Sequence, residues 1–162
     1  MSEAGRRGAP SPSGGGPALG PSTVGCMAWT RAQKTFVAAI ARNPQRSGKH
    51  EIVVPEMVLD PGETVYEVLR CARKGDSWPL LIVTDRRIVY TVYNMVTRWK
   101  VRGEVPATEV AGAELERRLL SGRLHVRRRS GEALTVKVAD PAWSEHIVEL
   151  IEHLAAGGAP PL

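Results

Sequence analysis

The sequence is poor in the residues from which catalytic and membrane-spanning proteins are built. Two cysteines, Cys26 and Cys71, stand in 162 residues. They form no CxxC pair, so neither a disulfide framework nor a Cys-based zinc site is on offer. Reduced thiols suit a reducing compartment. One Phe, three Tyr and four Trp put aromatics at 5% of the chain, too few for platforms that stack single-stranded nucleic acid. No apolar run approaches the ~18 residues of a membrane span. Gly, Pro and Ser fill the positions where a signal peptide would carry its apolar core. A cytoplasmic location is expected from these absences. There is no GxSxG, P-loop or GxGxxG, and Gly14-Gly15-Gly16 has no flanking strand. His146 and His153 stand two helical turns apart, whereas paired metal ligands prefer one turn. The chain therefore reads as non-enzymatic, with no catalytic residue, no metal site and no cofactor.

The formal net charge of +5 suggests a polyanion partner until the charges are located. Through position 55 the basic residues are Arg6, Arg7, Arg31, Lys34, Arg42, Arg46 and Lys49, against Glu3 and Glu51. Beyond that point the charges balance, so the whole excess lies in the N-terminal region. A basic arm attracts anions at long range, but it does not make a dedicated nucleic-acid binder.

Residues 1–22 are Gly, Pro, Ser and Ala with almost no large apolar side chain, a composition that predicts a disordered tail. Over 24–42 the residues Trp29, Ala32, Phe36, Ala39 and Ile40 recur at helical steps. Thr30 or Thr23 is available as cap, and Asn43-Pro44 ends the pattern. A helix this short is marginal alone and should dock, with its own domain the favoured surface. Residues 43–50 read as a polar linker. From Glu51 the pattern turns extended: Ile52-Val53-Val54 and Met57-Val58-Leu59, split by Pro55, then an Asp60-Pro61-Gly62 turn.

Strand-like segments follow at close spacing: Glu63 to Cys71, Trp78 to Thr84, Arg87 to Tyr93, Thr97 to Val101, Ala111 to Leu119, Leu124 to Arg128 and Ala133 to Val138. Turns are predicted at Thr84-Asp85-Arg86, Asn94-Met95, Gly103-Glu104, Ser121-Gly122 and Ser130-Gly131. The last element is a helix with Asp140 as cap and Pro141 in its first turn. Its stripe is Trp143, Ile147, Leu150, Ile151 and Leu154, and Gly157-Gly158 stops it.

Asp60-Pro61-Gly62-Glu63, followed by Leu80-Leu81-Ile82-Val83-Thr84-Asp85-Arg86-Arg87-Ile88-Val89-Tyr90, resembles the signature of bacterial pleckstrin-homology-like (PH-like), GRAM-related domains. In that signature a Gly-Glu opens the first strand, and an apolar strand later runs into T-[DN]-x-R-[LI]. Val105-Pro106-Ala107-Thr108-Glu109-Val110 resembles the family's I-P-L-x-x-I segment, with Ala107 smaller than usual. Leu124-His125-Val126, Gly131 and Leu134-Thr135-Val136 match the hairpin that follows. The resemblance spans about residues 55–156. It implies a mainly β (α+β) fold: a PH-like barrel of about seven antiparallel strands, capped by the C-terminal α-helix and preceded by an N-terminal helix and tail. The domain is expected over 51–156, with 157–162 a flexible C-terminus. Such domains bind lipid headgroups, bind protein segments or act as scaffolds, and the fold does not choose among these.

Candidate anion- or partner-binding residues come from strand alternation. Arg98, Lys100 and Arg102 share one side of their strand, opposite Trp99 and Val101; Arg127 and Arg129 share a face with His125. Arg73 and Lys74 sit on the loop after the first strand. The basic stretch from Arg98 to Lys137 against an acidic final helix suggests a dipolar domain. A protein partner is the leading expectation and peripheral contact with anionic lipid the alternative; nucleic acid is not expected, and the sequence leaves the oligomeric state open.

Overall fold

The computed structural model describes residues 28–43, 51–119 and 121–158. The predicted tail, residues 24–27, most of the predicted linker and the last four residues lie outside them. In chain order the elements are α1 (Arg31–Arg42), α2 (Val54–Val58), β1 (Val65–Ala72), β2 (Leu80–Thr84), β3 (Arg87–Asn94), β4 (Arg98–Pro106), a 3-10 turn (Ala107–Glu109), β5 (Val110–Arg118), β6 (Ser121–Arg128), β7 (Leu134–Val138) and α3 (Pro141–Ala155). Every strand pairing is antiparallel. The strand order is β4-β3-β2-β1-β7-β6-β5, so the sheet curls into a barrel-like shape without closing and leaves β4 and β5 as its edges.

Alternation splits the apolar side chains between two cores. Leu81, Tyr90 and Leu124 face inward with Ile147 and Ile151 of α3. On the opposite face of β1–β4, Leu80, Ile82, Val89 and Trp99 pack with Phe36 of α1 and Val54 of α2. β2 is therefore buried along its whole length, which is why it reads as a continuous apolar run rather than an alternating one.

α1 is held by more than its apolar face. Thr30 and Gln33 form a reciprocal capping box, with Thr30 N–H donating to Gln33 Oε1 at 2.7 Å. β7 pairs with β1 only at Cys71 and Ala72, so the first half of β1 has no strand on that side. α1 supplies the missing partners. Val65 N–H donates to Thr35 Oγ1 at 2.9 Å, Arg42 donates to the Tyr66 carbonyl at 2.7 Å, and Asn43 Nδ2 donates to the Val68 carbonyl. The helix begins at Arg31, later than the pattern predicts, because Thr30 caps it; Trp29 precedes it and is exposed.

Several local expectations are corrected. Residues 54–58 are helical, not extended: Pro55 stands in the first turn, where its missing N–H costs nothing. Trp78 lies outside β2 with φ 52°. Gly103-Glu104 is not a turn. β4 runs through it, and the register shift opposite Tyr90/Thr91 absorbs one extra residue as a bulge. Ser121-Gly122 belongs to β6; a Cβ at Gly122 would stand 3.0 Å from both Leu115 Cδ1 and Val138 Cγ2.

The two sequence blocks that carry the family resemblance meet in space. Asp85 Oδ1 accepts from Thr64 N–H at 2.9 Å, Arg86 lies 3.4 Å from Asp60, and Arg87 Nε donates to the fully buried Glu63 at 2.8 Å. Arg87 also reaches Glu104 at 2.6 Å and the Val58 carbonyl at 3.2 Å. Its hydrogen bond to Glu63, with that to Glu104, raises the guanidinium pKa further against the opposing effect of burial. Thr84 Oγ1 accepts from Arg87 N–H at 3.0 Å and closes the turn.

Two surface ion pairs offset part of the expected dipole. Arg117 pairs with Glu145 and Arg127 with Glu152, joining the basic strands to the acidic helix. Glu152 also accepts from the Ala113 N–H at 2.7 Å, which occupies a donor on strand β5. Gly112 makes this possible: its φ is 137°, and a Cβ there would stand 2.5 Å from Glu152 Oε1.

Glu67 is a buried carboxyl on β1. Burial raises its pKa, against the pull of the Val68 N–H and the Arg42 charge. An acid with a raised folded pKa binds its proton more tightly in the native state. Its contribution to stability is thus greatest below the unfolded value near 4.5 and declines as pH rises through the folded value. Glu67→Gln should therefore gain on the wild type as pH rises from about 4 to 7, read as urea midpoints along that series. A gap that shrinks with pH would contradict the assignment.

Candidate functional site

The inner core is sealed at one end by α3, whose Asp140 cap accepts from Trp143 N–H at 3.1 Å. β4 does not pair with the β6–β7 hairpin. The gap is a cleft of about 540 Å³ lined by the start of the β1–β2 loop, Arg102 to Val105 of β4, and residues of β6 and β7. Val105, Leu134 and Val136 supply apolar walls. The cationic side chains on it are Arg73, Lys74, Arg102, Arg123, Arg128 and Lys137; the acidic ones are Glu104 and Glu132. Glu104 is already engaged by Arg87, so the cleft is strongly positive.

Four of the six basic groups are placed by contacts or strand register. The bulge in β4 sets Arg102 beside Asp76, 3.5 Å away, and Asp76 in turn accepts from the Tyr90 hydroxyl at 2.7 Å. Burial, followed by that hydrogen bond, pushes the Tyr90 hydroxyl well above its usual range, so it stays a donor that orients Asp76. Arg128 donates to the Glu104 carbonyl and spans the opening. Arg123 and Lys137 sit directly opposite each other on β6 and β7, a like-charge pair that is unfavourable without a counter-charge. Arg123 finds only a distant one, Glu116 at 3.7 Å. Glu116 is shared with Arg118, whose hydrogen bond holds the carboxyl below its usual value. Among the described residues, Arg73, Lys74 and Lys137 have no carboxylate within ion-pair distance.

Of the residues singled out from sequence, the structure brings Arg73, Lys74 and Arg102 together in this cleft. It separates the rest. Arg127 pairs with Glu152, and Arg129 donates to the Ala155 carbonyl at 3.3 Å, so both serve the α3 junction. Arg98 and Lys100 lie towards the β3–β4 tip. Arg123, Arg128 and Lys137 were missed. Alternation shows Arg123 and Lys137 on their strands' outer faces, but only the register of β6 against β7 makes them neighbours.

The cleft lining carries six cations and two carboxylates. Among the described residues the one thiol is Cys71, and burial pushes its pKa up, which leaves it protonated and unreactive. Among the described residues no cluster of three metal-ligating side chains exists, and no helix is long and apolar enough to cross a membrane.

The bacterial PH domain family model matches residues 59–153, from the last residue before the Asp60 turn to the final turns of α3. The chain belongs to the bacterial PH domain family. Two solved structures are similar to the chain. A DUF1696 family protein with a pleckstrin-homology domain from Shewanella loihica PV-4 is 13% identical, with TM-score 0.43, over 62% of this chain and 89% of that one. A pleckstrin homology domain from Shewanella amazonensis SB2B is 16% identical, with TM-score 0.45, over 65% of this chain and 93% of that one. No curated protein matches the chain. In this PH domain, α1 and α2 lie outside the matched stretch, yet both bury side chains in the outer core.

Proposed function

We propose that this PH domain is a non-enzymatic binding module that takes an acidic, extended segment of a protein partner in the cleft between β4 and the β6–β7 hairpin. The observation that carries the reading is the like-charge pair Arg123 and Lys137 on the lip of a cleft rich in cations. An entering carboxylate would relieve that repulsion and could be held bidentately by arginine. The apolar walls suit the aliphatic parts of the same segment.

The test is fluorescence anisotropy with a labelled poly-glutamate peptide and its neutral poly-glutamine counterpart. The acidic peptide should bind in a salt-sensitive way and the neutral one should not. Arg102→Gln combined with Lys137→Glu should weaken binding by about tenfold or more, since charge pairs at such sites are worth 1.4 kcal/mol or above. Equal affinity for both peptides, or an unchanged affinity in the variant, would refute the reading.

A further inference from the structure

The tip of the β6–β7 hairpin carries a hydroxyl that stands outside the cleft lining. Ser130 directly follows Arg127-Arg128-Arg129, and residues 129–133 between the two strands are all exposed. Gly131, with φ 89°, turns the chain there, and a Cβ built on it would meet nothing within 4 Å. Nothing crowds the tip at that point. Several other hydroxyls are committed to the fold. Thr84, Thr91 and Ser144 are buried, and each donates to a backbone carbonyl, at 2.8, 2.8 and 2.6 Å.

Three guanidinium groups ahead of an exposed serine suit an enzyme that reads arginines with its own carboxylates. The present contacts of these arginines are no bar to that. Arg127 is half exposed and lies 3.5 Å from Glu152, and Arg129 reaches the Ala155 carbonyl at 3.3 Å. Exposed contacts of this kind contribute little, so both side chains can turn to an approaching enzyme.

The position also bears on the cleft. Arg128 and Glu132, on either side of Ser130 in the chain, both line it, and Arg128 spans the opening by donating to the Glu104 carbonyl. A phosphate on Ser130 would bring about two negative charges and three acceptor oxygens to that rim. Arg128 and Arg129 would be drawn to it by charge-assisted hydrogen bonds. The cleft would lose positive field, and an acidic segment would be repelled.

We infer that Ser130 is a phosphorylation site for an arginine-directed serine kinase, and that phosphate there closes the cleft to acidic segments. The regulatory half rests on the function proposed for the cleft; the modification does not. In the step, Ser130 Oγ attacks the γ-phosphorus of ATP and the Oγ–P bond forms. The bond from that phosphorus to the bridging oxygen breaks, ADP leaves, and the hydroxyl proton passes to the kinase's catalytic carboxylate.

Full-length protein is incubated with magnesium ATP and the catalytic subunit of cyclic-AMP-dependent protein kinase, which selects serine after paired arginines. Intact mass should show phosphate uptake, and fragmentation should place it on Ser130. The phosphorylated protein should bind the labelled poly-glutamate peptide about tenfold or more weakly, with a loss that shrinks as salt rises. Its urea midpoint should stay at the wild-type value, because the modified loop is exposed. Ser130→Ala should bind the peptide as the wild type does, before and after the same treatment. No phosphate on Ser130, or full phosphorylation with unchanged peptide affinity, would overturn the inference. If the unmodified protein fails to bind poly-glutamate, the cleft function and the regulatory half fall together, and the mass measurement alone decides whether Ser130 accepts phosphate.

Discussion

Arg87→Ala should lower the unfolding free energy by about 3–5 kcal/mol, because it leaves a buried carboxylate without its counter-charge. Glu63 is fully buried and meets Arg87 at 2.8 Å. Its remaining neighbour is the Asp60 N–H at 2.9 Å, one neutral donor for a full charge. The same substitution frees the Val58 carbonyl and Glu104. At roughly 3 °C per kcal/mol for a domain of this size, the melting temperature should fall by about 10 °C. Glu104→Ala removes the other partner of Arg87, but Glu104 is half exposed, and such a pair contributes at most ~1 kcal/mol. Urea denaturation of the two variants side by side checks the argument. Equal losses would mean that the Glu63 contact is not the one that matters.

Phe36→Ala should cost about 3–5 kcal/mol, the range for deleting a fully buried aromatic ring. Phe36 is the one Phe of the chain and has no exposed surface. It sits among Val54, Leu80, Ile82 and Trp99 in the outer core, so its loss opens a cavity under α1. α1 also satisfies backbone groups of β1 at Val65, Tyr66 and Val68. Undocking the helix would leave those groups without their partners, so the outer core and the strand should fail together. Trp29→Ala, at an exposed site just before the helix, should stay within about 0.5 kcal/mol of the wild type. A Phe36→Ala variant with an unchanged urea midpoint, but rapid proteolysis near residue 43, would show that α1 opens as a separate unit.

Much of the architecture was legible because it is written in short-range patterns. The Asp140-Pro141 start and the Ile147/Ile151 stripe of α3 depend on neighbours within one or two turns, and the structure has them as read. The same holds for β7 and the second half of β6, whose apolar residues alternate. The failures have a common origin. Gly103 resembles a turn residue, yet it lies in a strand because β3 runs alongside and a bulge absorbs the mismatch. Val54 and Val58 are β-branched, but Pro55 in the first turn and packing against the outer core go with a helical turn.

The candidate site divides in the same way. Arg73, Lys74 and Arg102 could be named from loop position and alternation. Arg127 and Arg129 could not be set aside until α3 was seen to claim them. Arg123 and Lys137 are fourteen positions apart, and only strand register makes them neighbours.

By itself the sequence determined the fold family, the placement of most strands, the capped final helix and the balance of charge beyond residue 55. These follow from side-chain periodicity and turn chemistry, which act over a few residues. Only the tertiary structure decided that Glu63 and Arg87 form one buried pair, that α1 completes the unpaired half of β1, and which cations share a cleft. Those outcomes depend on distances between segments far apart in the chain. Such distances are set by how β4, the β6–β7 hairpin and α3 pack, and no local pattern encodes them.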